Sequence, residues 1–435
     1  MADVARRAIE FASRKGASAS EVEVSAAVGQ SVTVRHGEVE TVEYNRDKGL
    51  GITVYFGKCR GNASTSDLAP DAVERTVEAA CAIARHTAED EATGLPDRDR
   101  LYQGTPPDLD LFHPWGLEVE EAIEVARRAE AAALAVDKRI TNSEGATVSS
   151  YDSDFILANS LGFLDGFPNS KASIGCGVIA EEKGGMQRDY WYTTHRNPAK
   201  LEPAQAVGRV AGERAIRRLG ARKLATLEAP VIFEANLAGS LIAHFVAAAS
   251  GSSLYRESSF LIGRLGTQVF APNVRIVEDP HMPGELASGY YDAEGVATTR
   301  RTVVDAGVLN GWFLSSYSGR KLGLASTGNA GGNHNLLIEP GADDLAALLR
   351  RMGKGLLVTD LMGQGVNPVT GDYSRGAVGF WVEEGEIRFP VEEITIAGNL
   401  LDMFKGIVAV GNDVLVRGSK HTGSILIDRM TIAGD

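Results

Sequence analysis

Eight histidines carry most of this chain's capacity for metal or acid–base chemistry: His36, His86, His113, His195, His244, His281, His334 and His421. A catalytic zinc ion needs about three protein ligands of imidazole, thiolate or carboxylate type and an open position for water. A helix can supply two of them as closely spaced histidines, with a glutamate beside the first to activate that water. Here no histidine is followed by Glu, and the closest pair in sequence is His86 and His113. No helix can therefore present two histidines to one ion. Asp279 and His281, before Met282-Pro283-Gly284, could both reach a metal, but no third ligand is evident. His334 follows Gly331-Gly332 and reads as a solvated loop histidine or as a residue that touches substrate. His244, in the Ala- and Leu-rich stretch 236–249, reads as a hydrogen-bonded core or interface residue.

Other constellations are thin. Gly251-Ser-Ser-Leu-Tyr255 lacks the Gly-x-Ser-x-Gly elbow that exposes a nucleophilic serine. Cys59, Cys81 and Cys176 are scattered and odd in number, which suits reduced structural thiols. Glu383-Glu384 and Glu392-Glu393 each place neighbours on opposite strand faces, so they read as solvated. The glycine-rich run Gly328 to Gly332 has no Lys-Ser/Thr and opens no helix, which argues against a phosphate loop. A formal charge of −13 opposes a nucleic-acid partner. The basic cluster Arg209 to Lys223, with Arg214, Arg217 and Arg218 able to share a helix face, reads as a solvated or interface surface. No apolar run approaches the length of a membrane span, and the first residues lack a signal core.

The elements that must position these residues follow from periodicity. At 435 residues the chain is too long for one core. The expectation is α+β with two domains, 1–222 and 223–435. In the first, helices at 4–13, 70–87, 117–136 and 203–219 flank a mostly antiparallel sheet, whose strands include short ones at 22–25, 32–35, 39–42 and 51–55. The second is β-rich with few helices: one at 236–249, another at 342–352, and a hairpin around Asp305-Ala-Gly307. Near the end, Gly379 to Val382 and Glu386 to Phe389 form a hairpin around Glu384-Gly385. Pro390 is expected to interrupt the ladder before Val391 to Ile396 resumes it. Phe380, Ile394 and Ile396 should be core, and the boundary should fall within 220–229.

The wording of the sequence is more specific than its periodicity. Ser374 to Met403 resembles the signature of the TldD/PmbA family, and within it the TldE (PmbA) branch. Gly251 to Phe260, Val277-Glu-Asp-Pro-His281, Tyr317 to Ala330 and Asn335 to Gly341 are similar to TldE segments in the same order, and Asn159-Ser-Leu-Gly-Phe163 to the end of the family's N-terminal domain. The resemblance implies a cytoplasmic, zinc-dependent peptidase of two related subunits. TldD-like chains carry a His-Glu-x-x-x-His helix, and TldE-like chains are their paralogous partners. Counting back from Ser258-Ser259, the family's metal positions fall on Ile242, Ala243 and Ala247, and His244 matches none of them. The Cys of TldD-like chains would fall near Arg417 to Lys420, where this chain has none.

The resemblance thus implies a non-catalytic subunit without a cofactor of its own, the zinc being held by a TldD-like partner. Such a chain would help hold extended or unfolded peptides, with His244, Tyr255, Arg256, His281, His334 and Asn399 as candidate substrate or interface contacts. A homodimer of the isolated chain is compatible with the same reading. Two alternatives stand beside it: a self-sufficient metallopeptidase using His244, His281 or His334, and a regulatory module, as in the family's description as modulators of DNA gyrase. Purified alone, the chain should carry well under one zinc per molecule by elemental analysis, unchanged in His244→Ala. Stoichiometric zinc that disappears with His244 would overturn the erased site.

Overall fold

The computed structural model describes residues 1–434. Helix α1 (Ala2–Arg14) buries Ala5, Ala8 and Ala12, one helical stripe. Strands β1 (Ala19–Arg35) and β2 (Glu38–Phe56) follow, joined by His36-Gly37 at φ 52° and 75°. Two left-handed residues make the hairpin turn whose twist suits antiparallel strands. The Glu130 carboxylate accepts both turn N–H groups at 2.8 Å. The sequence suggested separate short strands in this region; the structure fuses them. Polar residues between the valine pairs do not end a strand that is hydrogen-bonded on both edges, and β1 pairs with neighbours on either side along nearly its whole length.

The first half continues with β3 (Cys59–Thr65), α2 (Pro70–His86), α3 (Val119–Leu134), β4 (Ile140–Asn159) and β5 (Leu164–Asp165). It ends with β6 (Asn169–Glu182), β7 (Gly185–His195) and α4 (Ala204–Arg217). The strands make one antiparallel sheet in the order β3-β2-β1-β4-β6-β7, with β5 on β4. Val22 and Val24 of β1 pack under α1 and α2, and Val32 and Val34 under α3 and α4. All four are even-numbered, so the helices cover one face. Close packing of alanine-rich helices needs small residues: a β-carbon at Gly208 of α4 would lie 1.8 Å from the Ala129 carbonyl oxygen of α3.

The second half opens with β8 (Leu227–Phe233), α5 (Ala235–Ala248) and α6 (Gly251–Tyr255). A small sheet combines β9 (Ile276–Asp279), β10 (Arg301–Asp305), β11 (Val308–Leu309), β12 (Asn335–Ile338) and a later strand, with helix α7 (Ser316–Leu322) inserted. Then come α8 (Leu345–Met352), β13 (Gly355–Met362), β14 (Asp372–Glu383), β15 (Glu386–Asn399) and α9 (Leu400–Lys405). The chain finishes with β16 (Ile407–Val410), β17 (Lys420–His421), which completes the small sheet, and β18 (Ile425–Ala433). The larger sheet runs β15-β14-β13-β8-β18-β16, and a further pairing of β15 with β18 closes it on itself. Ile394 and Ile396 lie in the main core with α5, and Phe380 on the other face beneath α8.

Both expected hairpins are present, Ala306-Gly307 at φ 46° and 77° and Glu384-Gly385 at φ 55° and 75°. The break expected at Pro390 is absent: β15 runs through it, with Pro390 opposite Phe380. Register shifts flank the site, and on its outer side Arg222 donates its N–H to the Pro390 carbonyl. A residue that only accepts there loses nothing by lacking an N–H.

The halves are joined by buried charge. Arg214 of α4 bonds Asp189 of β7 at 3.2 Å and both Glu234 oxygens at 3.0 Å. Arg218 reaches Asp189 at 3.5 Å and Asp360 at 3.4 Å. Removing one member of a buried ion pair strands the others without compensation, at a cost of about 3–5 kcal/mol. Arg214→Ala should therefore lose stability of that order in urea unfolding, whereas Glu213→Gln on the exposed side of α4 should not. A loss below about 1 kcal/mol for Arg214→Ala would show that the joint is not electrostatic.

Candidate functional site

Helix α5 carries Ile242, Ala243 and Ala247, the three positions at which the count back from Ser258-Ser259 puts the family's metal motif. Ile242 is fully buried in the core with Phe245, Ala243 is half-buried and Ala247 is exposed. None offers a donor atom. The adjacent His244 packs edge-on to Tyr373 with ring centroids 5.9 Å apart. Its Nε2 is buried without a hydrogen-bond partner among the described residues, unlike the hydrogen-bonded histidine expected from sequence. Burial, and then the charge of Arg375, push its pKa down. Near the start of α5 stands the 417–420 segment. The Arg417 guanidinium lies 3.9 Å from the Trp191 ring centroid and 4.1 Å from that of Tyr192, and donates to Asn236 Oδ1 at 2.6 Å. Lys420 packs against Gly239, and burial lowers its pKa. Where the resemblance implies a thiolate, this chain has two cationic side chains, which would repel a dication. The residues present do not fit a zinc site.

The remaining candidates do not converge on one point. His281 Nε2 lies 3.1 Å from Thr298 Oγ1, and its backbone N–H is held by Asp279. His334 is tied down, its ring nitrogens 2.9 Å from the Gly328 carbonyl oxygen and 3.3 Å from that of Ala287. Its backbone N–H donates to the buried Glu278, which also accepts from Asn329 and pairs with Arg301 at 2.7 Å. The glycine-rich loop is thus fixed by a buried carboxylate. Asn399 caps α9 through the Leu401 N–H. Tyr255 stacks edge-on with Tyr317, and Arg256 donates to the Tyr255 hydroxyl. Among the described residues no three His, Cys, Asp or Glu side chains stand close enough to hold an ion.

Much of the family-like wording docks the two halves together. Tyr317 and Lys321 of α7 both hold Asp90. Arg320 donates to the carbonyls of Ala92, Gly94 and Leu95. A β-carbon at Gly251 would lie 2.2 Å from Ser318 Oγ, so α6 and α7 can touch only if that residue is glycine.

What this docking encloses was not evident from sequence. On the helix-free face of the first sheet, β1, β2 and β3 and the 291–294 and 330–331 loops line two adjoining cavities of about 1010 and 510 Å³. They share Glu23, Ser25, Lys48, Gly49, Leu157 and Ala293 and so form one groove. One signal was available: Glu21, Glu23 and Ser25 alternate with the buried Val22 and Val24. At its wall the buried Asp292 accepts the N–H groups of Glu294, Val296 and Ala330, binding the two loops to each other.

Comparison with known proteins gives consistent matches. Family profiles for PmbA/TldA metallopeptidases match as domain 1 over residues 20–84, central domain over 112–219 and C-terminal domain over 226–434. The chain is 50% identical to "Metalloprotease PmbA" of Escherichia coli O157:H7, covering 98% of this chain and 94% of that protein. It is likewise 50% identical to a Haemophilus influenzae homologue, with 98% and 95% covered. A crystal structure of a proposed modulator of DNA gyrase from Bacteroides thetaiotaomicron superposes with a TM-score of 0.95 at 28% identity, over 100% of this chain and 98% of that one. TldE from Thermococcus kodakarensis shares the fold with a TM-score of 0.86 at 21% identity, over 99% and 100%.

Burial lifts the Asp292 carboxyl from 3.8 to about 6, against the three N–H donors that pull it down. A carboxyl with a raised folded-state pKa favours folding below its unfolded pKa and loses that contribution as pH rises through the folded value. The wild type should therefore lose on the order of 3 kcal/mol relative to Asp292→Asn between about pH 4 and pH 7. Urea titrations across that range measure it, and parallel stability curves for the two proteins would refute it.

Proposed function

The chain belongs to the PmbA/TldD metallopeptidase family, and on that premise we propose that it is the non-catalytic, TldE-like subunit of a cytosolic peptidase. In this reading a TldD-like paralogue holds the zinc and performs hydrolysis. This chain completes the chamber and helps hold extended peptides. The observation that carries the reading is the content of the metal positions: Ile242, Ala243 and Ala247 on α5, beside Arg417 and Lys420. Zinc would supply a Lewis acid and an activated water, and this helix offers neither a ligand nor an adjacent carboxylate base.

Other features agree with this assignment. The three cysteines are free thiols, as suits a reducing compartment. No helix among the described residues is long and apolar enough to cross a membrane. His281 and His334, the alternative ligands, are each hydrogen-bonded, the first to a hydroxyl and the second to carbonyls. The relatives at 50% identity carry the name metalloprotease; here that activity is assigned to the complex.

The isolated chain should not hydrolyse unfolded peptides above background, with or without chelator. Mixed with a TldD-like partner, it should enable or raise hydrolysis. Replacing the partner's motif glutamate should abolish that activity in the complex. Chelator-sensitive cleavage by this chain alone, or activity that survives the partner's substitution, would move catalysis onto this chain.

A further inference from the structure

The groove on the open sheet face has a chemistry of its own. Its floor alternates along β1 as Glu21, Glu23, Ser25 and Ala27, opposite Thr53, Gly51, Gly49 and Asp47 of β2. A β-carbon added at Gly51 would meet nothing within 4 Å, so the glycines leave the backbone bare at the base of a trough. From Glu21 to Ala27 the floor is about 20 Å long at about 3.3 Å per residue, the length of an extended segment of six or seven residues.

The charges in the trough are unbalanced. Glu21, Glu23 and Asp47 come from the sheet and Glu294 from the opposite loop, while Arg60 is the cation that register places on this face. Lys48 lines the trough as well, although strand alternation carries its side chain toward the other face. Tyr55 donates to Glu21 at 2.8 Å, yet burial and then Glu294 still raise the Glu21 carboxyl above the usual range. The wall adds an independent sign of a ligand. Tyr291 is 5% exposed, its ring fixed among Phe155, Phe163 and Phe167, and its hydroxyl is buried without a partner among the described residues. Tyr291 lines the groove together with Glu23, and burial, then the charges of Asp165, Tyr290 and Glu23, push its hydroxyl pKa up. A buried O–H without an acceptor is costly until something accepts its proton.

We propose that this groove binds an extended peptide segment bearing basic side chains. The Tyr291 hydroxyl donates to a backbone carbonyl of the segment, and Glu23 and Asp47 pair with its cations. The proposal rests on reading the chain as a peptide-holding subunit, and it specifies which peptides that subunit holds.

Fluorescence anisotropy with the isolated full chain and two labelled heptapeptides, one alternating threonine with lysine and the other threonine with glutamate, tests it. The lysine peptide should bind about tenfold more tightly, and the preference should shrink as salt screens the exposed pairs. Glu23→Gln with Asp47→Asn, both on exposed side chains, should reduce the preference to about twofold or less. Tyr291→Phe keeps the ring packing and should weaken the lysine peptide several-fold without altering the response to salt. Equal binding of the two peptides, no binding of either, or variants that bind like wild type would overturn the assignment. Because the readout needs no partner and no hydrolysis, failure of the subunit reading in the reconstituted complex would leave this result standing, and the reverse also holds.

Discussion

The arrangement depends on the arginine–carboxylate joint between the halves. Arg214 sits where α4, the start of β7 and the β8–α5 corner meet, and it also donates to the Thr359 carbonyl of β13 at 3.4 Å. Burial raises the Glu234 carboxyl even with Arg214 against it, so each charge here tolerates its site only because the other is present. Buried pairs of this kind add little net stability, but they penalise any other orientation heavily. Two further arginines act in the same sense. Arg196 donates to the carbonyls of Glu285 and Leu286, and Arg320 to those of the 92–95 loop. With those contacts made, the 291–294 loop faces the open side of the first sheet, and the groove exists.

The same constraint explains why helix α5 persists without metal ligands. It is mostly apolar, it fills the core beneath the closed sheet, and its N-terminal end is held by Arg417 from the segment between β16 and β17. Ile242, Ala243 and Ala247 bring no donor atom, and the helix keeps its place because it covers the sheet. A cation between Trp191 and Tyr192 then ties the second half to β7 of the first. The start of α5 is thereby part of the joint. On the opposite wall, Asp292 and the loop fixed by Glu278 face the strands.

Local rules made part of this legible in the sequence. The Ala-Gly and Glu-Gly hairpins appeared where expected, because two left-handed residues suffice to define such a turn. The longer helices were recognisable from apolar spacing, whereas the short α6, α7 and α9 were not. The lengths of β1 and β2 were not legible, since partners on both edges, and not side-chain pattern, carry a strand across polar residues. Nor was the tolerance of Pro390, which depends on Arg222 approaching from another segment. His244, Asn399 and His334 show the same limit. Their types suggested contacts, while the fold decided that one is packed against a ring, one caps a helix and one is tied to carbonyls. Sequence alone determined that Ile242, Ala243 and Ala247 carry no donor atom, because the chemistry of a side chain is a local fact. Tertiary structure alone decided where a groove forms, because Glu23 and Tyr291 meet across the domain joint, and no spacing along the chain records that meeting.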